Sequence, residues 1–306
     1  MHISEDCETD LVNLKAVGNY SDGHSFDRVK YLESKIILKP DRFSSIDDFR
    51  RFGKIAAGVA KKLGVEFIAP SKNGSRPQIR EIVFGDTSDF RLYNHSFILR
   101  RRTRYDDGFP VGDPEVVIKF RNADQKIAAA IDVRPKIAGR YRMKFKVEAL
   151  PLKAEIGGVR FLYSHNCVFG MSQMHDADKL SMQTLMRVFP ALSLLEISPD
   201  DRITLVRESV IEEVLLDLGV LKFGKGVVAP SNVALWRTRG EHRPVIGEFA
   251  YQIKFDPETP MPEKVKQVCE QFFINLQFEV SDWISLGTTK TGMVYRLKGN
   301  APQNNE

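Results

Sequence analysis

Positively charged side chains recur at every second position in two segments whose composition favours β-strands. The residues are Arg100, Arg102 and Arg104 in segment 96–105, and Arg142, Lys144 and Lys146 in segment 141–150. Because successive side chains of a strand point to opposite faces of a sheet, each set lies on a single face. Rows of like charge on neighbouring strands repel one another unless anions lie between them. A closed barrel with a basic interior and a polyanionic ligand would remove this repulsion, whereas a solvated sheet face is the simpler alternative.

Two further segments place charge on one face of a strand. Glu33 and Lys35 share a face of segment 30–39, and Lys119 lies on one face of segment 115–121. For a single strand, a solvated face would be the better explanation. With four strands involved, the like-charge repulsion favours a basic barrel interior.

Strand-like segments separated by Gly, Asp and Pro clusters dominate the chain. The predicted strands are 30–39, 80–84, 96–105, 115–121, 141–150, 159–164, 202–209, 210–216, 232–238 and 244–255. Apolar residues at helical spacing predict helices over 46–63, over 176–195 with an interruption near Pro190, and over 262–285. The predicted fold class is α+β, an antiparallel β-barrel with flanking helices. We expect residues 1–28 to form a loosely ordered N-terminal segment and residues 29–300 to form one domain.

The composition excludes several protein classes. The 306 residues carry 45 Lys and Arg against 40 Asp and Glu, a net charge of +5, and 42% are hydrophobic, as in a soluble globular protein. Uncharged apolar runs are far shorter than the roughly 18–20 residues of a membrane span, and the chain begins without the pattern of a secretory signal. We therefore expect no membrane association and a cytoplasmic location. Cys7, Cys167 and Cys269 have no CxxC spacing, which predicts free thiols.

Segment 84–102 carries the most specific pattern in the chain. It reads Phe-Gly-Asp-Thr-Ser-Asp-Phe-Arg-Leu-Tyr-Asn-His-Ser-Phe-Ile-Leu-Arg-Arg-Arg. It resembles the aromatic-Asp-Thr stretch and the following Arg-x-Arg strand of the CYTH proteins, the triphosphate tunnel metalloenzymes, which include thiamine triphosphatases and class IV adenylyl cyclases. Three later matches continue the resemblance, which spans about residues 31–255. They are the strand ending in Lys119, segment 205–207 ending in Arg207, and Gly247-Glu248.

The resemblance implies an antiparallel β-tunnel in which Arg and Lys bind a triphosphate while carboxylates at the tunnel ends hold Mg²⁺ or Mn²⁺. The implied phosphate ligands are Lys35, Arg100, Arg102, Lys119 and Arg207, and strand alternation adds Lys144 and Lys146. The implied metal ligands are Glu33 and Glu248. A guanidinium binds phosphate through two hydrogen bonds and an ammonium supplies compact charge, so these residue types suit the ligand. Because phosphoryl transfer requires mainly positioning and charge neutralisation, such a tunnel can be catalytic without a nucleophilic side chain.

The chain departs from the family pattern where the carboxylates should be. The first strand of the family carries Glu-x-Glu-x-Lys, of which Glu33 and Lys35 remain, and the late Glu-x-Glu keeps only Glu248. Segment 233–237 has no acid where the family has an aspartate. The acids that could substitute are Glu148, Glu208 and Glu212.

Because Mg²⁺ prefers carboxylate and water oxygens, the missing acids leave two functions open. The first is binding of a triphosphate or polyphosphate compound with hydrolysis by a divalent metal. The second is metal-independent binding of a nucleotide or polyphosphate by a non-catalytic or sensory module. Recognition of RNA 5′-triphosphate ends is a third, weaker hypothesis.

Three other features have simpler structural explanations. His165 and Cys167 lie two residues apart in one predicted strand, about 7 Å from each other, which is beyond direct proton transfer. The Gly-Lys-Gly of segment 224–226 lacks the spacing of a phosphate-binding P-loop. Four aromatic residues of the predicted C-terminal helix favour core packing over base stacking. They are Phe272, Phe273, Phe278 and Trp283.

Overall fold

The computed structural model describes residues 28–70, 76–174, 181–195, 197–255 and 259–299. Residues 1–27, which make up nearly all of the predicted N-terminal segment, lie outside the described residues. In the described ranges, no helix combines the length and the apolar character that crossing a membrane requires.

The described residues contain ten strands in one sheet, and nine of these strands close into a barrel. They are β1 Tyr31–Leu38, β2 Glu66–Ile68, β3 Gln78–Asp86, β4 Phe97–Asp106, β5 Phe109–Asn122, β6 Arg142–Leu150, β7 Arg160–Gly170, β8 Thr204–Gly224, β9 Val227–Thr238 and β10 Pro244–Lys254. The order around the barrel is β8, β3, β4, β5, β7, β6, β1, β10 and β9, and pairing of β9 with β8 closes the circle. The short β2 extends the sheet from β8. The predicted α+β fold with a β-barrel and flanking helices is confirmed.

One pair of strands departs from the predicted antiparallel arrangement. β1 runs parallel to β6, with Glu33 opposite Glu148. The other paired strands of the described chain are antiparallel. Parallel neighbours cannot be joined by a tight turn, and here the chain between β1 and β6 passes through β2 to β5. The pairing brings the charged faces of β1 and β6 together.

The two strands predicted over 202–209 and 210–216 are one long strand, β8. Arg207 and Glu208 have positive φ angles of 53° and 49°. At this point the register between β3 and β8 shifts, as in a β-bulge. The predicted boundary between residues 209 and 210 therefore lies beside a bulge inside a continuous strand.

Six α-helices lie around the barrel in the described ranges. They are α1 Ile46–Lys62, α2 Arg91–Asn94, α3 Gln125–Ala130, α4 Met182–Val188, α5 Glu263–Glu279 and α6 Lys290–Tyr295. The helix predicted over 176–195 is α4 followed by a 3₁₀ turn at Pro190–Leu194, because proline has no N–H with which to continue the α-helix. α5 ends before the predicted residue 285, and the chain then turns so that Trp283 packs against Phe52 of α1 with ring centroids 5.5 Å apart.

The hydrophobic core lies mainly outside the barrel wall. One apolar cluster packs α1 and α5 against β8, β9 and β10, and a second packs α4 against β4, β5 and β7. Of the four aromatic residues assigned to core packing, Phe272, Phe273 and Trp283 are buried, whereas Phe278 is exposed. His165 and Cys167 are also buried, and the His165 Nδ1–H donates a hydrogen bond of 2.9 Å to the carbonyl of Ile131.

A third apolar cluster lies inside the barrel at one end. It joins Ile37, Ile98, Leu150 and Trp236 of the barrel wall to Tyr295 of α6. Because α6 also lines the barrel cavity, this cluster and α6 together form one end of that cavity.

Candidate functional site

The barrel encloses a cavity of about 420 Å³, referred to below as the lumen. Ten Lys and Arg side chains and five carboxylates of the described chain line it, so the lining is strongly basic. The cations are Lys35, Arg80, Arg100, Arg102, Lys119, Arg121, Arg142, Lys144, Lys146 and Lys290, and the carboxylates are Glu33, Glu148, Glu213, Asp217 and Glu248. Six of the predicted phosphate ligands are brought together here, because their strands alternate inward and outward as the sequence indicates. They are Lys35, Arg100, Arg102, Lys119, Lys144 and Lys146.

Glu148 lies at the centre of the basic lining. Its carboxylate contacts the Lys119 ammonium, and it lies 3.2 Å from Lys35, 3.6 Å from Arg121 and 3.8 Å from Lys146. Burial alone would raise the pKa of Glu148, but the four cations hold it well below its usual range. Glu148 therefore carries the charge that allows four buried cations to share one small volume.

Glu33 makes a second, smaller ion-pair group. Its carboxylate contacts the ammonium of Lys146 and lies 3.0 Å from that of Lys35. Burial would raise the pKa of Glu33, but Lys146 and Lys35 lower it. For Lys35, burial favours the neutral amine, yet Glu148 and Glu33 raise its pKa above the usual value. Both side chains are thus charged and engaged with each other.

Arg100 forms no ion pair with a carboxylate of the described residues, although Glu213, Glu115 and Glu33 attract its charge from a longer distance. Its buried Nε has no hydrogen-bond acceptor, and no carboxylate of the described residues lies within ion-pair distance of its guanidinium. Burial, together with repulsion from Arg102, lowers the pKa of Arg100 to about 10. Arg102, in contrast, is paired with Glu115. The Arg100 guanidinium is therefore a charged donor in the lumen, and no described residue accepts a hydrogen bond from its Nε.

Lys144 is a second lumen cation without a carboxylate partner in the described chain. Its ammonium lies over the Tyr31 ring, 4.8 Å from the centroid. Burial and the neighbouring Lys146 lower the pKa of Lys144. Lys144 thus adds a second donor with free hydrogen-bonding capacity beside Arg100 and Arg102.

The end of the lumen near α6 has a different character. Glu213 of β8 and Glu248 of β10 are buried there, and the ammonium of Lys290 lies between them. The indole N–H of Trp236 donates a hydrogen bond of 2.8 Å to Glu213. Burial would raise the pKa of Glu213, but Lys290 and Arg80 lower it to about 2.

Arg207 is the predicted phosphate ligand that the structure places outside the lumen. Its Nε donates a hydrogen bond of 2.7 Å to the Tyr295 carbonyl, and its guanidinium lies 4.6 Å from the centroid of the Phe90 ring. The left-handed backbone at Arg207 and Glu208 interrupts the strand alternation on which the prediction rested. Arg207 anchors the end of α6 and is not positioned to contact a ligand in the lumen.

The predicted metal ligands do not form a metal site as they stand. Glu33 is engaged by Lys35 and Lys146, and Glu248 is engaged by Lys290. Over the described residues, no three His, Cys, Asp or Glu side chains cluster closely enough to hold a metal ion. The proposed substitutes Glu208 and Glu212 pair with Lys298 and Arg237 outside the lumen. The carboxylates present therefore do not fit a Mg²⁺ or Mn²⁺ ion held by protein ligands.

Sequence reasoning missed four of the lumen residues that matter most. Arg121 lies two positions after Lys119 on β5, so strand alternation could have identified it. Arg80 is followed on its face of β3 by the apolar Ile82 and Phe84, so no row of like charge marks it. Glu213 lies in a strand whose charges alternate irregularly, and Lys290 belongs to a six-residue helix that no periodicity reveals.

The Asp-Thr part of segment 84–102 has a structural role. The Asp86 carboxylate accepts hydrogen bonds from the backbone N–H groups of Thr87, Leu92 and Tyr93 and from the hydroxyl of Tyr295. Burial raises the pKa of Asp86 to about 6, although these hydrogen bonds oppose the shift. Asp86 thereby fixes α2 and α6 to the end of the barrel.

Asp86→Asn is expected to lower the free energy of unfolding by about 2–3 kcal/mol, because the amide keeps one acceptor oxygen and turns an N–H₂ group toward backbone donors. Urea unfolding near pH 7 measures this change. The control is Asp89→Asn in the same loop, an exposed carboxylate for which we expect less than about 1 kcal/mol. Equal effects of the two substitutions would contradict the anchoring role.

The chain matches no family model, and no curated protein matches it by sequence. Several solved structures resemble it in fold. HpAC1 from Hippeastrum, a candidate adenylyl cyclase described as having a dominant triphosphatase activity, is 14% identical, with a TM-score of 0.42 over 90% of this chain and 98% of that chain. A candidate adenylate cyclase from Bacillus halodurans is 10% identical, with a TM-score of 0.37 over 86% of this chain and 95% of the other. PH1819 from Pyrococcus horikoshii is 10% identical, with a TM-score of 0.35 over 88% and 99% of the two chains.

The similarity is one of fold. The lumen described above is defined by the side chains of this chain alone.

Proposed function

We propose that the lumen binds the triphosphate or polyphosphate chain of a ligand. The observation that carries this proposal is the Arg100 guanidinium, which lies in the lumen without an acidic partner among the described residues. A buried charge without a partner is costly, so a protein that keeps one has a use for it. Phosphate oxygens would accept two hydrogen bonds from the guanidinium and would neutralise its charge.

The surrounding charges favour an extended polyanion over a single phosphate. Arg102, Lys144 and Lys146 line the same lumen as Arg100, and Lys35 and Lys119 lie beside Glu148. Several phosphates in a row carry several negative charges and can contact this row of donors at once. One orthophosphate can satisfy only part of it.

Binding, rather than hydrolysis, is the function that the geometry supports. Four lumen carboxylates have an ammonium or guanidinium partner, namely the half-buried Glu33 and the buried Glu148, Glu213 and Glu248. The pKa values of Glu33, Glu148 and Glu213 are lowered by these partners, which makes each of the three a weak general base. Metal-dependent hydrolysis and recognition of RNA 5′ ends are the alternatives to simple binding, and the experiments below distinguish the three.

The experiment is thermal unfolding of the protein with tripolyphosphate, pyrophosphate or orthophosphate, in EDTA and then with Mg²⁺ or Mn²⁺. A ligand at 100 times its Kd adds about 2.7 kcal/mol of stability, which raises the midpoint by a few degrees. We expect the shift to increase from orthophosphate to tripolyphosphate and to persist in EDTA. Absence of a shift with all three anions, with and without metal, would refute the proposal.

Two further readouts separate the alternatives. Release of orthophosphate from tripolyphosphate only when a divalent metal is present would establish the hydrolytic function in place of simple binding. Equal binding of RNA with 5′-triphosphate and 5′-hydroxyl ends would exclude end recognition, since only the first presents the phosphate chain.

Lys144→Ala is expected to weaken tripolyphosphate binding by about 10-fold or more, the contribution of one hydrogen bond to a charged group. Isothermal titration calorimetry in EDTA gives the Kd. Arg104→Ala is the matched control, because Arg104 is an exposed strand cation that does not line the lumen, and its Kd should change by less than about 3-fold. Similar losses of affinity in both variants would indicate general electrostatic attraction to the protein instead of a specific binding site in the lumen.

A further inference from the structure

Two buried carboxylates at the α6 end of the lumen share one ammonium. Lys290 Nζ lies 2.8 Å from Glu248 Oε1 and 3.3 Å from Glu213 Oε1. Both glutamates are buried, and they come from different strands, β10 and β8. They are therefore close enough for a single cation to bridge them, and Lys290 is that cation.

The position of Lys290 is fixed by several independent contacts. Lys290 is the first residue of α6, and the side chain of the preceding residue, Thr289, caps the helix by accepting a hydrogen bond of 3.0 Å from the N–H of Gly292. At the other end of α6, the Tyr295 hydroxyl donates a hydrogen bond of 2.9 Å to Asp86. The ammonium also lies over the Trp236 ring, 4.7 Å from the centroid. A long, flexible side chain is thus held in one place.

A cation between two carboxylates beside a phosphate-binding cavity is also what a divalent metal would provide. Mg²⁺ in such a setting is usually held by one or two carboxylates together with phosphate oxygens. In this chain the space between the carboxylates is already taken by a tethered positive charge. This accounts for the misfit between the predicted metal ligand Glu248 and a metal site.

We propose that Lys290 takes the place of a divalent cation between Glu213 and Glu248, so that the lumen supplies this cation from its own chain. The corollary, that binding of the phosphate chain needs no divalent metal, rests on the proposed function. The replacement of a divalent cation by Lys290 does not rest on the proposed function, because it concerns only the two carboxylates and the ammonium.

The proposal predicts that removal of the ammonium creates a metal site. In Lys290→Met the two carboxylates lose the ammonium between them, whereas Glu213 keeps Arg80, 3.4 Å away, and the indole N–H of Trp236. Two carboxylates and water oxygens are suitable ligands for Mn²⁺. Lys290→Arg keeps a positive charge in place and serves as the matched control.

The experiment is titration of the ligand-free proteins with Mn²⁺, followed by electron paramagnetic resonance of the free ion, with no phosphate compound present. We expect Lys290→Met to bind about one Mn²⁺ at least 10-fold more tightly than the wild type and Lys290→Arg. Adding Glu248→Gln to Lys290→Met should abolish the gained site. Because no phosphate compound is present, a negative result would contradict the proposal about Lys290 and would leave phosphate binding by the lumen to its own test.

Several results would overturn the proposal. The first is a wild-type protein that binds one Mn²⁺ as tightly as Lys290→Met, since the ammonium would then not exclude the metal. The second is a folded Lys290→Met without gained binding. If that variant unfolds, Lys290→Gln, which keeps a hydrogen-bonding side chain of similar reach, is titrated in its place, and the same absence of a gain would refute the idea.

Discussion

Arg100→Met is expected to weaken tripolyphosphate binding by about 100-fold or more and, in the absence of ligand, to make the protein more stable. The loss of affinity follows from removing a bidentate, charge-assisted contact in a buried site, where truncation costs about 2–5 kcal/mol. The gain in stability follows from the position of Arg100, a lumen cation without an acidic partner in the described chain.

The sign of the stability change comes from the pKa of Arg100. Burial and the neighbouring Arg102 lower it to about 10, so the folded protein disfavours the charged form that is present near pH 7. One pKa unit corresponds to about 1.4 kcal/mol, so the charge costs a few kcal/mol, part of which methionine recovers while keeping the aliphatic stem packed. We expect the free energy of unfolding to rise by about 1–2 kcal/mol.

Urea unfolding without ligand and calorimetric titration with tripolyphosphate measure the two effects on the same preparations. Arg104→Met is the matched control, because it removes an equal charge from the same strand outside the lumen and should change neither quantity appreciably. A variant at Arg100 that binds tripolyphosphate as the wild type does would remove the observation on which the proposed function rests. A variant that is less stable than the wild type would show that Arg100 has a partner in solution.

The sequence was most informative where strand alternation was regular. β4, β5 and β6 alternate regularly where they line the lumen, up to the register shift after Arg102, and Arg100, Lys119 and Lys144 lie where alternation predicts. Rows of like charge on four strands also favoured a closed barrel, because a polyanion in its interior would neutralise charges that an open face leaves to screening by solvent. Period-two patterns thus predicted both the fold class and the greater part of the basic lining.

Prediction failed where the position of a side chain depends on contacts distant in sequence. The bulge at Arg207 reverses the face of one residue without any sign in the composition. Lys290 reaches the lumen because α6 is held in place by contacts that include Asp86, more than two hundred residues earlier in the chain. The roles of the carboxylates could not be predicted either, since Glu33 has the same neighbours in sequence whether it holds a metal or a lysine.

Glu148 is the residue whose loss should damage the fold most. Its carboxylate is buried and balances Lys35, Lys119, Arg121 and Lys146. Glu148→Gln leaves these four cations without their shared counter-charge, and breaking a buried ion pair in this way costs about 3–5 kcal/mol. Urea unfolding near pH 7 should show this loss, whereas Glu66→Gln, which breaks an exposed pair with Lys222, should cost less than about 1 kcal/mol.

The pH dependence gives a second, independent test of the same residue. The pKa of Glu148 is lowered in the folded protein from its ordinary value of 4.5, so its stabilising contribution is complete above that value and is lost as the pH falls through the lower, folded pKa. The stability difference between wild type and Glu148→Gln should therefore be constant near neutral pH and narrow progressively below a pH of about 4.5. A difference that stays the same down to strongly acidic pH would mean that glutamine disturbs packing instead of removing a charge.

Ligand binding should respond in the opposite direction from stability. Removing the Glu148 carboxylate makes the lumen more positive, so tripolyphosphate should stabilise Glu148→Gln by more than it stabilises the wild type, provided that the variant is folded at the start of the titration. The comparison of thermal midpoints with and without saturating tripolyphosphate measures this. An equal or smaller shift in the variant would indicate that the phosphate chain lies outside the electrostatic reach of Glu148, toward Arg102 and Lys144.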